Sequence, residues 1–219
     1  MSTSSHWETA YQEADSLFGL HPDSTLVEHA SLVPEGKVLD LGMGEGGNAL
    51  FFAKRGYDVQ GIDISSTAVN RALEHASSRS LRLQAEVADI TNLIIQADSY
   101  SLIIASMVLQ FFTQAVSEQI IKRIQTGLKP SGIVFIAVFS TEDPSCERLR
   151  QRTPATELNT FYWERLGSHV HYFTRDEILE WFSMFRLIYC AQIRRLDLTH
   201  GEPHYHGIVV YIGQKPENS

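Results

Sequence analysis

One stretch limits what this chain can fold into more than any other: VLDLGMGEGGNALFFAKRGYDVQGIDIS, from Val38 to Ser65. The segment KVLDL is short, apolar and β-branched at its start, so it reads as a buried strand. A glycine-rich turn follows. GNALFFAKRG then reads as a helix stopped by Gly56, and YDVQGID as a second strand. Within the turn, Gly42, Gly44 and Gly46 make GxGxG, while Gly42, Gly44 and Gly47 make GxGxxG, the spacing of a dinucleotide site. Glycines between a strand and its helix permit positive φ and let a ligand approach the backbone. The turn alone leaves three possibilities open: NAD, another adenosine-bearing ligand, or no ligand.

The same alternation continues downstream. SSTAVNRALEHASS reads as a helix capped by Ser65 or Ser66, LRLQAEVAD as strand three, and YSLIIAS as strand four. QAVSEQIIKRIQTGL is a helix with Ile120, Ile121, Ile124 and Leu128 on one face, Lys129 to Gly132 is a turn, and IVFIAVF is strand five. Repeated strand–helix units imply a parallel sheet covered on both faces. Thr174 caps a further helix, with Glu177 at the capping-box position. RLIYCAQIRRLDL and HYHGIVVYIGQK then read as strands joined around THGEP, an antiparallel pair at the sheet edge. Upstream, Trp7, Tyr11, Ala14 and Phe18 fall at helical spacing, and a second helix starts at Asp23 or Ser24 and stops at Pro34 and Gly36.

Composition removes other classes of function. The 219 residues fit one α/β domain, and a formal charge of −8, from 26 acidic and 18 basic residues, opposes nucleic-acid binding. Arg148, Arg150 and Arg152 are the nearest approach to a basic patch and read as a solvated face. Cys146 and Cys190 form neither a CxxC pair nor a disulfide framework, which suits a reducing compartment. With no apolar h-region near Met1 and no membrane-spanning run, the expectation is a cytoplasmic protein that engages neither membrane nor nucleic acid.

Three aspartates sharpen the reading of the glycine turn. Asp40 ends strand one two residues before Gly42, where it repels a pyrophosphate and suits a cationic ligand. Asp63 ends strand two, placed to accept hydrogen bonds from ribose hydroxyls. Asp89 ends strand three within VADI, in reach of an adenine amino group. Three carboxylates at successive strand ends line the edge where open α/β sheets bind ligands.

With these residues in place, the chain resembles the class I S-adenosylmethionine-dependent methyltransferases over roughly residues 34 to 140. VLDLGMGEGGNALFFAKRGYDVQGIDIS is similar to their first two motifs, ADI to the adenine-binding one, and LKPSGIVFIAVF to the turn and strand five. Met43 and Ser131 depart from the usual residues. HWETAYQEADSLFGLHP and HYFTRDEILEWFSMFRLIYC look like segments of the tellurite-resistance and thiopurine-type small-molecule enzymes. The resemblance implies a Rossmann-like, mostly parallel seven-stranded sheet with helices on both faces and an antiparallel C-terminal hairpin. It implies one domain over 1–219, divided into a helical lid (1–33), a cofactor-binding half (34–140) and a substrate-side half (141–219). It also implies S-adenosylmethionine as methyl donor, S-adenosylhomocysteine as product and a small-molecule acceptor. The expected cofactor-binding set is Asp40, Gly42, Gly44, Asp63, Ile64, Asp89, Ile90 and Ser106, with Trp7 and Tyr11 as lid residues or as plain packing. Met107 and Phe111 are expected as a ligand wall or as core.

On the acceptor side, His204 and His206 lie two apart on a strand and share a face, and His169 and His171 repeat the spacing. They are expected as general base or substrate-orienting groups, with His204, His206 and His171 as the catalytic set. Packing histidines are the plainer reading, and no metal is expected, because no carboxylate or cysteine sits at a diagnostic spacing. Arg194 and Arg195 are read as an edge-strand pair or as an anion clamp. Two other activities compete. An NAD-dependent oxidoreductase is disfavoured by Asp40 and by the lack of both a Tyr-x-x-x-Lys pair and a second βαβ half. A non-catalytic S-adenosylmethionine-binding protein shares every cofactor residue.

Overall fold

The computed structural model describes residues 3–199 and 201–217. His200 lies outside them. Strands β1 (Lys37–Leu41), β2 (Asp58–Asp63), β3 (Leu83–Val87), β4 (Tyr100–Ser106), β5 (Leu128–Phe139), β9 (Arg186–Asp197) and β10 (His204–Gln214) form a seven-stranded sheet. Its order is β3-β2-β1-β4-β5-β10-β9. The first five strands are parallel; β10 runs antiparallel to β5 and to β9. This is the expected architecture, hairpin included.

Strand period explains how the sheet is covered. Leu39, Leu41, Ile103, Ile136, Val138 and Val209 pack into one core with α5 (Gln114–Gly127) and α7 (Arg175–Trp181). The alternate residues Val38, Leu102, Ile104, Phe135, Ala137, Ile208 and Val210 pack into a second core with α2 (Ser24–Glu28) and α3 (Gly47–Lys54). Every second side chain of a strand faces the same way, so two-sided burial produces the near-continuous apolar runs seen in the sequence. Thr113 caps α5 and Ser65 caps α4 (Ser66–Ser78) through side-chain hydrogen bonds.

Two features differ from expectation. Lys129 to Gly132 is not a separate turn but lies within β5, where the register with β4 shifts. Ser131 there has φ +63, a left-handed conformation that glycine adopts without strain. The second is a small antiparallel sheet of β6 (Ala155–Glu157), β7 (Thr160–Trp163) and β8 (Ser168–His171) that follows α6 (Pro144–Arg152). Arg148, Arg150 and Arg152 fall on α6, and Arg150 pairs with Glu147 on the same helix.

Candidate functional site

The glycine turn is a cradle defined by what a side chain would strike. Gly42, Gly44 and Gly46 all have positive φ. A Cβ on Gly42 would lie 2.5 Å from Val108, and one on Gly44 would lie 2.7 Å from the Tyr11 hydroxyl. Asp63 fastens the turn from below, since its carboxylate accepts Gly44 N–H at 2.8 Å and Ser65 N–H at 2.9 Å. Burial raises the Asp63 carboxyl above its ordinary range, against those backbone donors.

Asp40 is the most unusual group in the site. It is buried, and its Oδ2 has no hydrogen-bond partner. Burial pushes its pKa up to about 8, partly offset by the Ala49 N–H and reinforced by Asp63. A buried acceptor left unmatched costs about 1–3 kcal/mol, so the position is one that a bound cation would stabilise. Asp89 is exposed and closes a turn by accepting Thr91 N–H. β3 ends at Val87, so Asp89 lies two residues beyond the strand rather than at its end, after the Ala88 N–H that bonds to the Asp63 carbonyl. Ile64 is half-buried and Ile90 is buried in the core beneath. Ser106, half-buried, ends β4 on the face that carries Ile104.

The helix α1 (Thr3–Glu13) lies over this edge. Trp7 meets Phe18 and Phe111, with the Phe111 ring 4.8 Å away, and Tyr11 is buried against Gly44. Both expected lid residues therefore contact the site loops. The sequence did not reveal the latch that holds them. Glu8 accepts hydrogen bonds from Ser65 Oγ, Ser66 Oγ, Thr67 Oγ1 and Thr67 N–H at the start of α4. Glu45 accepts from Ser16 and Leu17 and pairs with Arg71, which donates to the Ala14 carbonyl. Hydrogen bonds from Thr67 and Ser65 draw the Glu8 pKa from 4.5 down to about 2. A depressed carboxyl gives stability that is complete above the unfolded value and disappears as pH falls through the folded one. Limited proteolysis of α1 should therefore be slow at pH 6 and accelerate between about pH 4 and 2. Glu8→Gln should be cut as quickly at pH 6 as at pH 2, and equal rates for the two proteins at pH 6 would reject the latch.

His204 and His206 sit at the same sheet edge, because antiparallel β10 begins where parallel β5 ends (Ile208 opposite Phe139). The two rings meet with Nε2 atoms 3.0 Å apart. His206 Nδ1 contacts Asp143 Oδ2 at 2.8 Å, and its ring stacks on Phe139. Asp143 also accepts from Gly207 N–H, Ser145 N–H and Ser145 Oγ, and that hydroxyl meets Tyr172 OH at 2.6 Å. Burial pulls the Asp143 carboxyl upward, but bonds from His206 and Ser145 outweigh it and the group stays below the usual carboxylate range.

His171 is not brought to this pair. It is buried, with Thr160 Oγ1 on Nδ1 at 2.7 Å and Glu177 on Nε2 at 3.1 Å. Its ring packs on Phe173, on the α5–α7 side of the sheet. Two partnered ring nitrogens make it a strut between β7, β8 and α7, a correction to its expected catalytic place. Its neighbour His169 meets the Tyr162 ring instead. Arg195 pairs with buried Asp23 at 2.7 Å and Arg194 lies over the Tyr205 ring, so neither stands as an unengaged anion clamp. Met107 and Phe111 line the loop after β4, with Met107 at φ +55, and both pack against apolar cores.

Comparison with known proteins gives the chain its family. The family model of the tellurite resistance protein TehB matches residues 7–172. The chain belongs to the TehB family. It is 29% identical over 163 residues to a Haemophilus influenzae TehB described as a probable S-adenosyl-L-methionine-dependent methyltransferase, covering 73% of this chain and 56% of that one. It is 34% identical over 147 residues to hemagglutinin 1 of Eikenella corrodens, covering 65% and 49% respectively. The chain thus spans about half the length of these curated relatives. The crystal structure of H. influenzae TehB superposes with a TM-score of 0.69 at 20% identity, over 87% of this chain and 61% of that one. A Burkholderia thailandensis N-methyltransferase solved with S-adenosylhomocysteine has the same fold, with a TM-score of 0.71 at 16% identity over 97% of this chain and 87% of that one.

Proposed function

We propose that this TehB-family chain transfers the methyl group of S-adenosylmethionine to a small-molecule acceptor, and the buried unpartnered carboxylate of Asp40 is the observation that carries the reading. It lies beside a glycine cradle and one strand from a second carboxylate, Asp63. That donor set fits a ligand with an ammonium at one end and a ribose at the other. It does not fit a pyrophosphate, whose negative charge would oppose the ionisation of Asp40 that an ammonium favours. The donor, once bound, supplies an already activated methyl on a sulfonium.

The chain's own work is then binding, alignment and exclusion of water. Asp63 accepts Gly44 and Ser65 N–H, with Ile64 N–H also directed at it, and roughly four acceptor sites leave capacity for a ribose hydroxyl. Asp89 stands just beyond the next strand for the adenine. Trp7 and Tyr11 close the edge from above, latched by Glu8. Across β4 and β5, His206, held in one orientation by Asp143 and Phe139, positions the acceptor with His204 beside it. Orientation of this kind is worth up to ~7–11 kcal/mol of barrier. The acceptor class is a metabolite oxyanion, thiol, carboxylate or hydroxyl, in line with the tellurite-resistance name of the family. Among the described residues no helix is long and apolar enough to cross a membrane. Both cysteines are free thiols, which suits the cytoplasm.

The test is calorimetry followed by a metabolite screen. S-adenosylmethionine and S-adenosylhomocysteine should bind while NAD does not, and one acceptor class should release S-adenosylhomocysteine in a His206-dependent way. Saturable NAD binding would overturn the reading.

A further inference from the structure

The hairpin turns two histidine nitrogens and a carboxylate toward one point. His204 Nδ1 lies 2.8 Å from the Glu202 carbonyl, and His206 Nδ1 lies 2.8 Å from Asp143 Oδ2. A carbonyl and a carboxylate accept hydrogen bonds and do not donate them, so both Nδ1 atoms carry the proton. With both rings neutral, each Nε2 would present a lone pair, and the two face one another at 3.0 Å. Two lone pairs that close repel unless a cation lies between them. Asp197, directly opposite His204 in the β9–β10 register, brings Oδ2 to 3.7 Å from His206 Nε2 while Thr199 holds its Oδ1. One ligand atom from each of the three residues falls within 4.8 Å of the others.

We propose that Asp197, His204 and His206 form a binding site for a divalent transition ion of the zinc class, with an open position that takes an anionic oxygen or sulfur of the acceptor. Metal–nitrogen bonds of about 2.0–2.1 Å at a tetrahedral angle set two nitrogens roughly 3.3 Å apart. The present separation needs only a few tenths of an ångström of adjustment. Oxygen acceptors on the far nitrogen of each ring are the usual outer support of metal-bound histidine. Asp143 and the Glu202 carbonyl supply one each. A proton shared between the rings, with Asp197 and Asp143 as counter-charges, would also relieve the repulsion, and metal uptake separates the two arrangements. Two imidazoles and one carboxylate leave coordination positions open, as in catalytic rather than structural sites. Sequence spacing did not reveal the carboxylate, because it comes from the partner strand.

The ion's role toward the acceptor rests on the methyl-transfer reading; its binding does not. The full chain, stripped with chelator, is titrated with Co²⁺ and followed by visible absorption, and S-adenosylhomocysteine binding is measured on the same samples by calorimetry. One equivalent of Co²⁺ should bind with d–d absorption that Zn²⁺ abolishes. His204→Ala and Asp197→Asn should each weaken uptake by about ten-fold or more with S-adenosylhomocysteine affinity unchanged. Asp197→Asn carries the test if His204→Ala does not fold. No saturable uptake, as expected for a proton-bridged pair, or uptake unchanged in both variants would overturn the site. Absent S-adenosylhomocysteine binding with Co²⁺ uptake intact would overturn the methyl-transfer reading and leave the ion site standing.

Discussion

Asp40→Asn should make the protein more stable at neutral pH and worse at binding S-adenosylmethionine. The carboxyl of Asp40 titrates near 8 in the folded chain, against an ordinary 3.8. A group whose folded pKa is raised contributes stability that is full below the unfolded value and lost as pH rises through the folded one. The loss therefore accumulates from about pH 4 and levels off above about 8. Its ceiling is on the order of 5 kcal/mol, from roughly 1.4 kcal/mol for each pH unit of separation. Asparagine mimics the protonated acid at every pH. The two proteins should melt together at pH 4 and separate progressively up to pH 8, with the variant higher by roughly 10–20 °C. Binding should move the other way. The charge that Asp40 gains opposite a ligand ammonium is the charge asparagine lacks, so affinity should fall at least about ten-fold, as for a charge-assisted hydrogen bond. At pH 7, binding to the natural protein should also release a proton, seen as a calorimetric enthalpy that depends on the buffer, and the variant should release none. A variant that melts lower across the whole pH range would remove Asp40 from this role.

The division between what could and could not be read in advance follows chain separation. Asp40 and the glycine turn are adjacent in sequence, and Asp63 reaches Gly44 across 19 positions of one βαβ unit, so a local fingerprint contains the contact. Two-sided burial made the central strands readable as apolar runs. The small sheet was missed because β6, β7 and β8 have only three or four residues each and mix exposed with buried positions. Pro130 and Gly132 look like a turn, yet their backbone continues β5 through an irregular register. The latches are long-range pairings with no spacing of their own: Glu8 reaches Thr67 across 59 residues, and Asp143 reaches His206 across 63. Asp197 lies opposite His204 only because of the hairpin register. His171 shows the converse error. It shares the His-x-His spacing of the hairpin pair, but its strand turns it toward Thr160 and Glu177. Spacing specifies a shared face and says nothing about which space that face meets.

Asp63→Ala should cost both the fold and the ligand, and Asp63→Asn separates the two losses. Alanine leaves Gly44 N–H and Ser65 N–H without their acceptor in a buried site. At about 1–3 kcal/mol for each buried donor left unmatched, the sum is on the order of 2–6 kcal/mol. The melting point should drop sharply, and the glycine turn, no longer held from below, should lose its shape around Tyr11. Asparagine keeps one carbonyl oxygen for one of the two N–H groups but directs an amide donor at the other. Its stability should fall between those of the natural protein and the alanine variant. Ribose binding needs acceptor capacity beyond the backbone contacts, and asparagine keeps only part of that capacity and none of the charge. S-adenosylhomocysteine affinity should therefore fall about as far in Asp63→Asn as in Asp63→Ala, by at least about ten-fold, while stability differs between them. Affinity that follows stability through the series would mean that Asp63 acts only by shaping the turn. Affinity lost equally in both variants would mean that it touches the nucleoside, because a purely structural carboxylate has no reason to distinguish folding from binding.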